Sequence, residues 1–308
     1  MSPSSPGKKT WIPEGFDDWP LHFPATQWAR PAAHLDWTEQ FIACWHAPVP
    51  RLPRSTLVVL VAGLFSEWLP RCFQDCAQTL RRSNYQVLRM PVRSSRGVMA
   101  QGTSIDKVLT AELKPGQRFV VLAHSKGGLD ALAAIRQNSV LSEACDGVAL
   151  VQPPAGPSTV MDEVLGCSTR QPAQRYPLDR LRRVFAKMPW VADGARDISR
   201  LRDPHIAHML NHLAPDLHCA HVVSWSCAPS SGFDTHHARL NARRPGWAHD
   251  GQFYLDHQRL EGMPQICLPH LDHGQPVLGG GGFDATRFWL ALLNVLHETK
   301  PGRGNQTR

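Results

Sequence analysis

The chain has 308 residues, 42% of them hydrophobic, enough to build one large α/β domain, with or without a cap, around a substantial core. Its net charge is +7, but the basic residues are dispersed and form no stripe with interleaved aromatics, which argues against nucleic acid as a partner. No run approaches the roughly 18 apolar residues of a membrane span, and Met1 to Trp11 is broken by prolines and lysines where a secretory leader would be apolar, so a cytoplasmic address is expected.

Residues 1–16 read as a tail, and 17–54 as an irregular Trp- and Pro-rich segment with one short helix over 36–45, so that 1–54 precede the core. From Thr56 the pattern becomes regular. A continuous apolar run over 57–62 has the character of a strand buried on both faces of a parallel sheet. Gly63 then turns the chain into a helix over 66–82. A strand over 85–92, a helix over 104–113, a strand over 118–123, a helix over 127–137 and a strand over 147–151 follow, an alternation that favours right-handed βαβ units. Pro153, Pro154 and Pro157 break the rhythm. Residues 154–216 carry charged, helix-like stretches and no strand, notably 178–190 with Arg180, Arg182, Arg183 and Lys187, and read as an insertion covering the sheet edge. The core resumes over 217–300 with strands at 221–225 and 265–268 and, after Gly279 to Gly282, an amphipathic helix over 285–297; 301–308 is a second tail. The core is thus expected over 55–153 and 217–300.

The eight cysteines are scattered and several lie in apolar runs, so they read as reduced core residues. Cys72 and Cys76 stand one helical turn apart with no second pair at metal spacing, so no metal and no cofactor is expected.

The chemistry concentrates at Ser125. An apolar strand (119–122) ends in Ala123-His-Ser125-Lys-Gly127, and an apolar helix (129–135) starts at once. Tiny residues two before and two after the serine are what a sharp strand-to-helix turn requires, because larger side chains would collide there. Ala228-Pro-Ser230-Ser-Gly232 fits the same spacing, but no apolar helix follows it, so Ser230 reads as a loop serine. A serine hydroxyl becomes nucleophilic only when a histidine accepts its proton, and that histidine needs a carboxylate to fix its tautomer. Candidates follow in the required order: Asp250, with Asp234 and Asp256 as substitutes, and then His270 or His273. His236, His237, His249 and His257 read as solvated loop histidines.

On these residues the chain resembles bacterial α/β-hydrolases of the triacylglycerol lipase and esterase type, over roughly 56–298 with a gap of low similarity at 154–216. The resemblance implies an α/β-hydrolase fold: a mostly parallel central sheet flanked by helices, with a helical cap insertion. It assigns the acid to Asp250-Gly251. The base falls to Asp272-His273-Gly274 or to His270-Leu271-Asp272, with His273 preferred, and Gly63-Leu64-Phe65 becomes the oxyanion loop. Ala123 stands where glycine is commoner, and Ala62 where a histidine is expected. The implied mechanism is double displacement on a small-molecule ester or acyl substrate, with the backbone N–H groups of Leu64 and Lys126 holding the oxyanion. Acyl transfer or thioester hydrolysis would use the same triad. A catalytically silent binding protein lacks support, because Ser125, Asp250 and His273 are all present. A zinc hydrolase built on His270, Asp272 and His273 would need a ligand at position 268, which is Leu. The 178–190 segment, ending Met188-Pro-Trp190, is either an ordinary amphipathic cap helix or a lid with an apolar side for transient contact with a lipid surface.

Overall fold

The computed structural model describes residues 24, 27–69, 71–91, 93–167, 183–185, 187, 189–213, 217–226 and 234–301. Six strands, β1 (Leu57–Val61), β2 (Gln86–Arg89), β3 (Phe119–His124), β4 (Cys145–Val151), β5 (Cys219–Trp225) and β6 (Gln265–Pro269), form one parallel sheet in the order β2-β1-β3-β4-β5-β6. Every residue of β1, β3, β5 and β6 is buried, the two-sided burial that their unbroken apolar sequences imply.

Helices cover both faces. On one side lie α1 (Thr38–His46), α2 (Gln74–Arg82) and, from the C-terminal part of the chain, a helix over Ala285–Glu298, whose Phe41, Trp45, Leu80, Phe288 and Trp289 form a single apolar core with the sheet. On the other lie α3 (Val98–Glu112) and α4 (Lys126–Gln137), which bring Ile105, Leu109, Leu129, Leu132 and Ile135 onto the opposite face. The remaining helices, in chain order, are α5 (Ser139–Ala144), α6 (Thr159–Val164), α7 (Asp193–Asp197), α8 (Pro204–Asn211), α9 (Asp234–Arg243) and α10 (Gln275–Leu278), and the C-terminal helix Ala285–Glu298 is α11. Strand order reverses between β1 and β3, so a crevice opens beyond their carboxyl ends, where ligands bind in open α/β sheets.

The elements differ from the sequence expectation where the cause is not local. The helix expected over 66–82 is a short 3₁₀ turn, Ser66–Trp68, followed by α2, because Phe65 and Phe73 take left-handed φ values of 62° and 60° that no continuous helix tolerates. The helix expected over 104–113 begins six residues earlier, at Val98, because Asp197 accepts the Val98 N–H at 2.6 Å and supplies a cap from 99 residues away. The strand expected over 85–92 pairs only over Gln86–Arg89. Helices α5 and α9 were not expected at all.

Between β4 and β5 the described residues form α6, α7 and α8 and no strand. Arg202 fastens this stretch at its base, donating to the carbonyls of Pro154 and Ala155 at 2.6 Å, Gly156 at 3.2 Å and Asp197 at 2.8 Å. Most of the 178–190 segment lies outside the described residues, as does Ser230. The seven cysteines within them are free thiols, and among them no helix is long and apolar enough to cross a membrane.

Candidate active site

Ser125 sits at the turn from β3 into α4 with φ 53° and ψ −132°. That conformation is costly for a residue with a Cβ and is held by what surrounds it. A Cβ on Gly127 would lie 2.5 and 2.6 Å from the carbonyl oxygens of Ala62 and Val61, so the first turn of α4 packs directly on the end of β1. Only glycine allows that approach. A Cβ on Gly63 would lie 2.9 Å from the Ser125 Cβ, which puts the loop after β1 against the serine itself.

Two loops that follow β5 and β6 carry Asp250 and His273. His273 Nε2 is 3.0 Å from Ser125 Oγ, and its Nδ1 is 2.8 Å from Asp250 Oδ2. Asp250 Oδ1 accepts the backbone N–H groups of Gln252 and Phe253 at 2.8 and 2.7 Å. Burial alone would raise the Asp250 carboxyl, but the adjacent His273 ring and these N–H donors outweigh it and hold the group below its ordinary value. An ionised, fully buried Asp250 fixes the proton of His273 on Nδ1 and leaves Nε2 to accept from the serine.

Of the alternatives, His270 is exposed at the end of β6 with φ 60°, and it is His273 that reaches Ser125. Asp256 pairs with Arg244 at 3.1 Å, partly exposed; the Asp234 side chain lies outside the described residues. Asp272 is occupied otherwise: its Oδ1 accepts from the N–H groups of Gly274 and Gln275, and Gln275 Oε1 accepts the Asp272 N–H, a reciprocal capping arrangement that fixes the loop carrying His273. Among the described residues no three His, Cys, Asp or Glu side chains are grouped to hold a metal ion.

The loop expected to hold an oxyanion is pinned by a relay. The Phe65 N–H donates to Ser94 Oγ, and the Ser94 hydroxyl donates to Glu67, which locks Phe65 in its left-handed conformation. The Leu64 N–H one residue earlier, and the Lys126 N–H at the first position of α4, are bonded to no protein acceptor among the described residues. The Lys126 side chain turns away from solvent and is fully buried, with its Nζ 2.7 and 3.0 Å from the two carboxylate oxygens of Asp130.

The reading of four histidines as solvated needs correction. His237 and His249 are buried, His257 is half-buried against Gly156, and His236 lines the cavity above Ser125. Formation of α9 brings this stretch in against the 249–254 loop. Burial pushes the His249 and His236 rings down to about 4. His249 Nδ1 accepts the Gly251 N–H at 3.2 Å, and its Nε2 is 3.1 Å from Asn241 Oδ1, bonds that shape the turn holding Asp250.

Sequence reasoning also missed two residues beneath His273. His124 Nε2 lies 2.8 Å from the carbonyl of His273, an acceptor only, so Nε2 carries the proton; its second contact is Gln152 Oε1 at 3.1 Å. Gln152 Nε2 donates to Ser224 Oγ at 2.7 Å and to the carbonyl of Asp272 at 3.0 Å. Burial, followed by the neighbouring His273, pushes His124 down to about 3, so the ring is neutral. Their signal was position: both stand at the carboxyl ends of central strands.

The cavity above Ser125 has a volume of about 270 Å³. Its walls come from the loop after β1, from Met161 and Ile198 of the stretch between β4 and β5, and from Val277 and Leu278 after β6.

No family model matches the chain, and no curated protein matches it by sequence. Solved structures do. The mature lipase BlEst2 of Bacillus licheniformis is similar over 80% of this chain and 94% of its own, at 16% identity and a TM-score of 0.58. The metagenomic carboxyl esterase MGS0156 is similar over 82% and 78%, at 18% identity and 0.57, and the phospholipase PlaB of Legionella pneumophila over 78% and 58%, at 13% and 0.55. Sheet order, the strained serine at the switch point and these likenesses together establish that the chain has the α/β-hydrolase fold.

Proposed function

We propose that the chain is a serine hydrolase that cleaves carboxylic esters through an acyl-enzyme intermediate. The observation that carries this reading is the unbroken line from Ser125 Oγ to His273 Nε2 at 3.0 Å and from His273 Nδ1 to Asp250 Oδ2 at 2.8 Å, opening into an apolar cavity. His273 takes the Ser125 proton as Oγ attacks the carbonyl carbon. The Leu64 and Lys126 N–H groups donate to the oxyanion, each worth about 3 kcal/mol of barrier reduction. Collapse expels the alcohol, protonated by His273, and a water activated by the same ring then releases the acid. The similar solved structures are of a lipase, a carboxyl esterase and a phospholipase, in keeping with ester substrates. In this reading residues 154–216 are a cap, since Met161 and Ile198 form cavity walls.

The test is a series of p-nitrophenyl esters of graded acyl length, turned over by the wild type and by Ser125→Ala. The reading predicts hydrolysis abolished by the substitution; turnover undiminished in the mutant overturns it.

A further inference from the structure

Ser94 is fully buried in the turn between β2 and α3 and is not a wall of the cavity above Ser125. Its hydroxyl nevertheless reaches the loop that the proposed mechanism uses for the oxyanion: Oγ accepts the Phe65 N–H and donates to Glu67. These bonds fix the orientation of one peptide plane. Phe65 has a φ of 62°, a conformation that costs free energy in any residue with a Cβ, and the bond to Ser94 offsets that cost. The Phe65 ring also stacks on Trp68 at 4.9 Å, but that contact holds a side chain and not the peptide.

Leu64 is thereby held from both sides. Before it, Gly63 packs so closely that a Cβ there would lie 2.9 Å from the Ser125 Cβ and 3.2 Å from the His124 carbonyl oxygen. After it, the Leu64–Phe65 peptide is tied to Ser94. The Leu64 N–H, bonded to no protein acceptor among the described residues, keeps its direction as long as both restraints hold.

Ser94 is held in its turn by a segment distant in the chain. The Gly194 N–H of α7 donates to the Ser95 carbonyl at 2.7 Å. A Cβ on Gly194 would lie 2.4 Å from the Ser94 carbonyl oxygen and 2.9 Å from that of Arg96, so only glycine fits against this turn. At the other end of α7, Asp197 Oδ2 accepts the Val98 N–H at 2.6 Å. Helix α7 thus grips the turn at both of its ends.

We infer that Ser94 is a positioning residue for the proposed oxyanion donor, the Leu64 N–H, and that α7 supports it. The stretch between β4 and β5 then contributes to turnover through the 94–98 turn as well as through the cavity walls. This inference rests on the serine-hydrolase reading and goes beyond it. Its physical content is preorganisation: a donor aimed beforehand at the developing charge acts fully, and one that must be reoriented does not. The ground-state carbonyl carries little of that charge, so lost aim lowers kcat and hardly moves KM.

The test measures kcat and KM on p-nitrophenyl butanoate in the full-length protein, per active site titrated with a fluorophosphonate. Beside it stands the affinity of butylboronic acid, whose adduct on Ser125 is tetrahedral and anionic. Ser94→Ala should lower kcat about 100-fold, the effect of losing one oxyanion donor, weaken the boronate by a similar factor and leave KM within about twofold. Glu67 is exposed, so Glu67→Ala carries the test if Ser94→Ala does not fold; it frees the Ser94 hydroxyl to turn and should lower kcat about tenfold, the effect of one hydrogen bond. Gly194→Ala should lower kcat as well, and adding it to Ser94→Ala should lower kcat little further, because both act on the same contact. Wild-type kcat and boronate affinity in Ser94→Ala and Glu67→Ala, whatever their melting temperatures, overturn the positioning role and leave Ser125-dependent hydrolysis intact. Losses that multiply in the double variant overturn the support from α7. Absence of Ser125-dependent hydrolysis in the wild type overturns the reading beneath both.

Discussion

Gln152 offers a direct perturbation of the contacts that hold the His273 loop. The residue is fully buried, has a φ of 51°, and uses its amide to bond His124, Ser224 and the Asp272 carbonyl. Gln152→Ala leaves the Asp272 carbonyl and the Ser224 hydroxyl without this donor in a closed interior. Each such loss costs roughly 1–3 kcal/mol, so a total of about 3 kcal/mol is expected. For a chain of this size that lowers Tm by about 6 °C, at about 2 °C per kcal/mol. A second effect is kinetic. The loop bearing His273 keeps its His124 bond but loses the tether at Asp272, and on the proposed mechanism a displacement of about 1 Å at His273 costs about 100-fold in kcat. Gln152 is not a wall of the cavity, so KM should hardly move. The assay is kcat and KM on p-nitrophenyl butanoate beside thermal unfolding followed by circular dichroism. A variant that melts several degrees lower yet turns over at the wild-type kcat would refute the positioning role and leave Gln152 a stability residue alone.

Three further outcomes follow from the geometry. Gly127→Ala puts a Cβ into the backbone carbonyls of Val61 and Ala62 and should cost about 3 kcal/mol or more, read as a lower unfolding midpoint in urea. Asp250→Asn should keep the fold and lose about 10⁴-fold in kcat, because His273 is left in the wrong tautomer. The Asp250 carboxyl is held below its unfolded value, so its stabilisation is complete above the ordinary carboxylate range and is lost only as pH falls through the lower folded value. The Tm gap between wild type and Asp250→Asn should therefore be flat from about pH 8 to about pH 5 and close only below about pH 4. Lys126→Met leaves Asp130, pushed up to about 7 by burial, without its cation. The expected cost is about 3–5 kcal/mol, most of it recovered in the Lys126→Met/Asp130→Leu double variant, and unfolding curves that show no such recovery would contradict it.

The core of the fold was legible because its signals are local. Continuous apolar runs at 57–62 and 119–123 mark strands buried on both faces, and the small residues around Ser125 mark a turn where a side chain would strike the backbone of β1. What was not legible depends on partners far apart in the chain. The start of α3 is set by Asp197, and the left-handed Phe65 by Ser94 and Glu67. His236, His237 and His249 were misread because an isolated histidine in a polar stretch gives no sign of the helix that will bury it. His270 and His273 were inseparable by spacing alone. The capping arrangement of Asp272 with Gln275 was present in the sequence, and it is what directs Asp272 to its own loop and His273 to the serine.

The account stands on Ser125 as the nucleophile, and covalent labelling tests that most directly. A fluorophosphonate applied to the full-length protein, followed by peptide mass spectrometry, should give one adduct on the peptide containing Ser125, with loss of ester hydrolysis in proportion to labelling and no adduct in Ser125→Ala. Labelling at another residue, or hydrolysis that survives complete modification of Ser125, would contradict it.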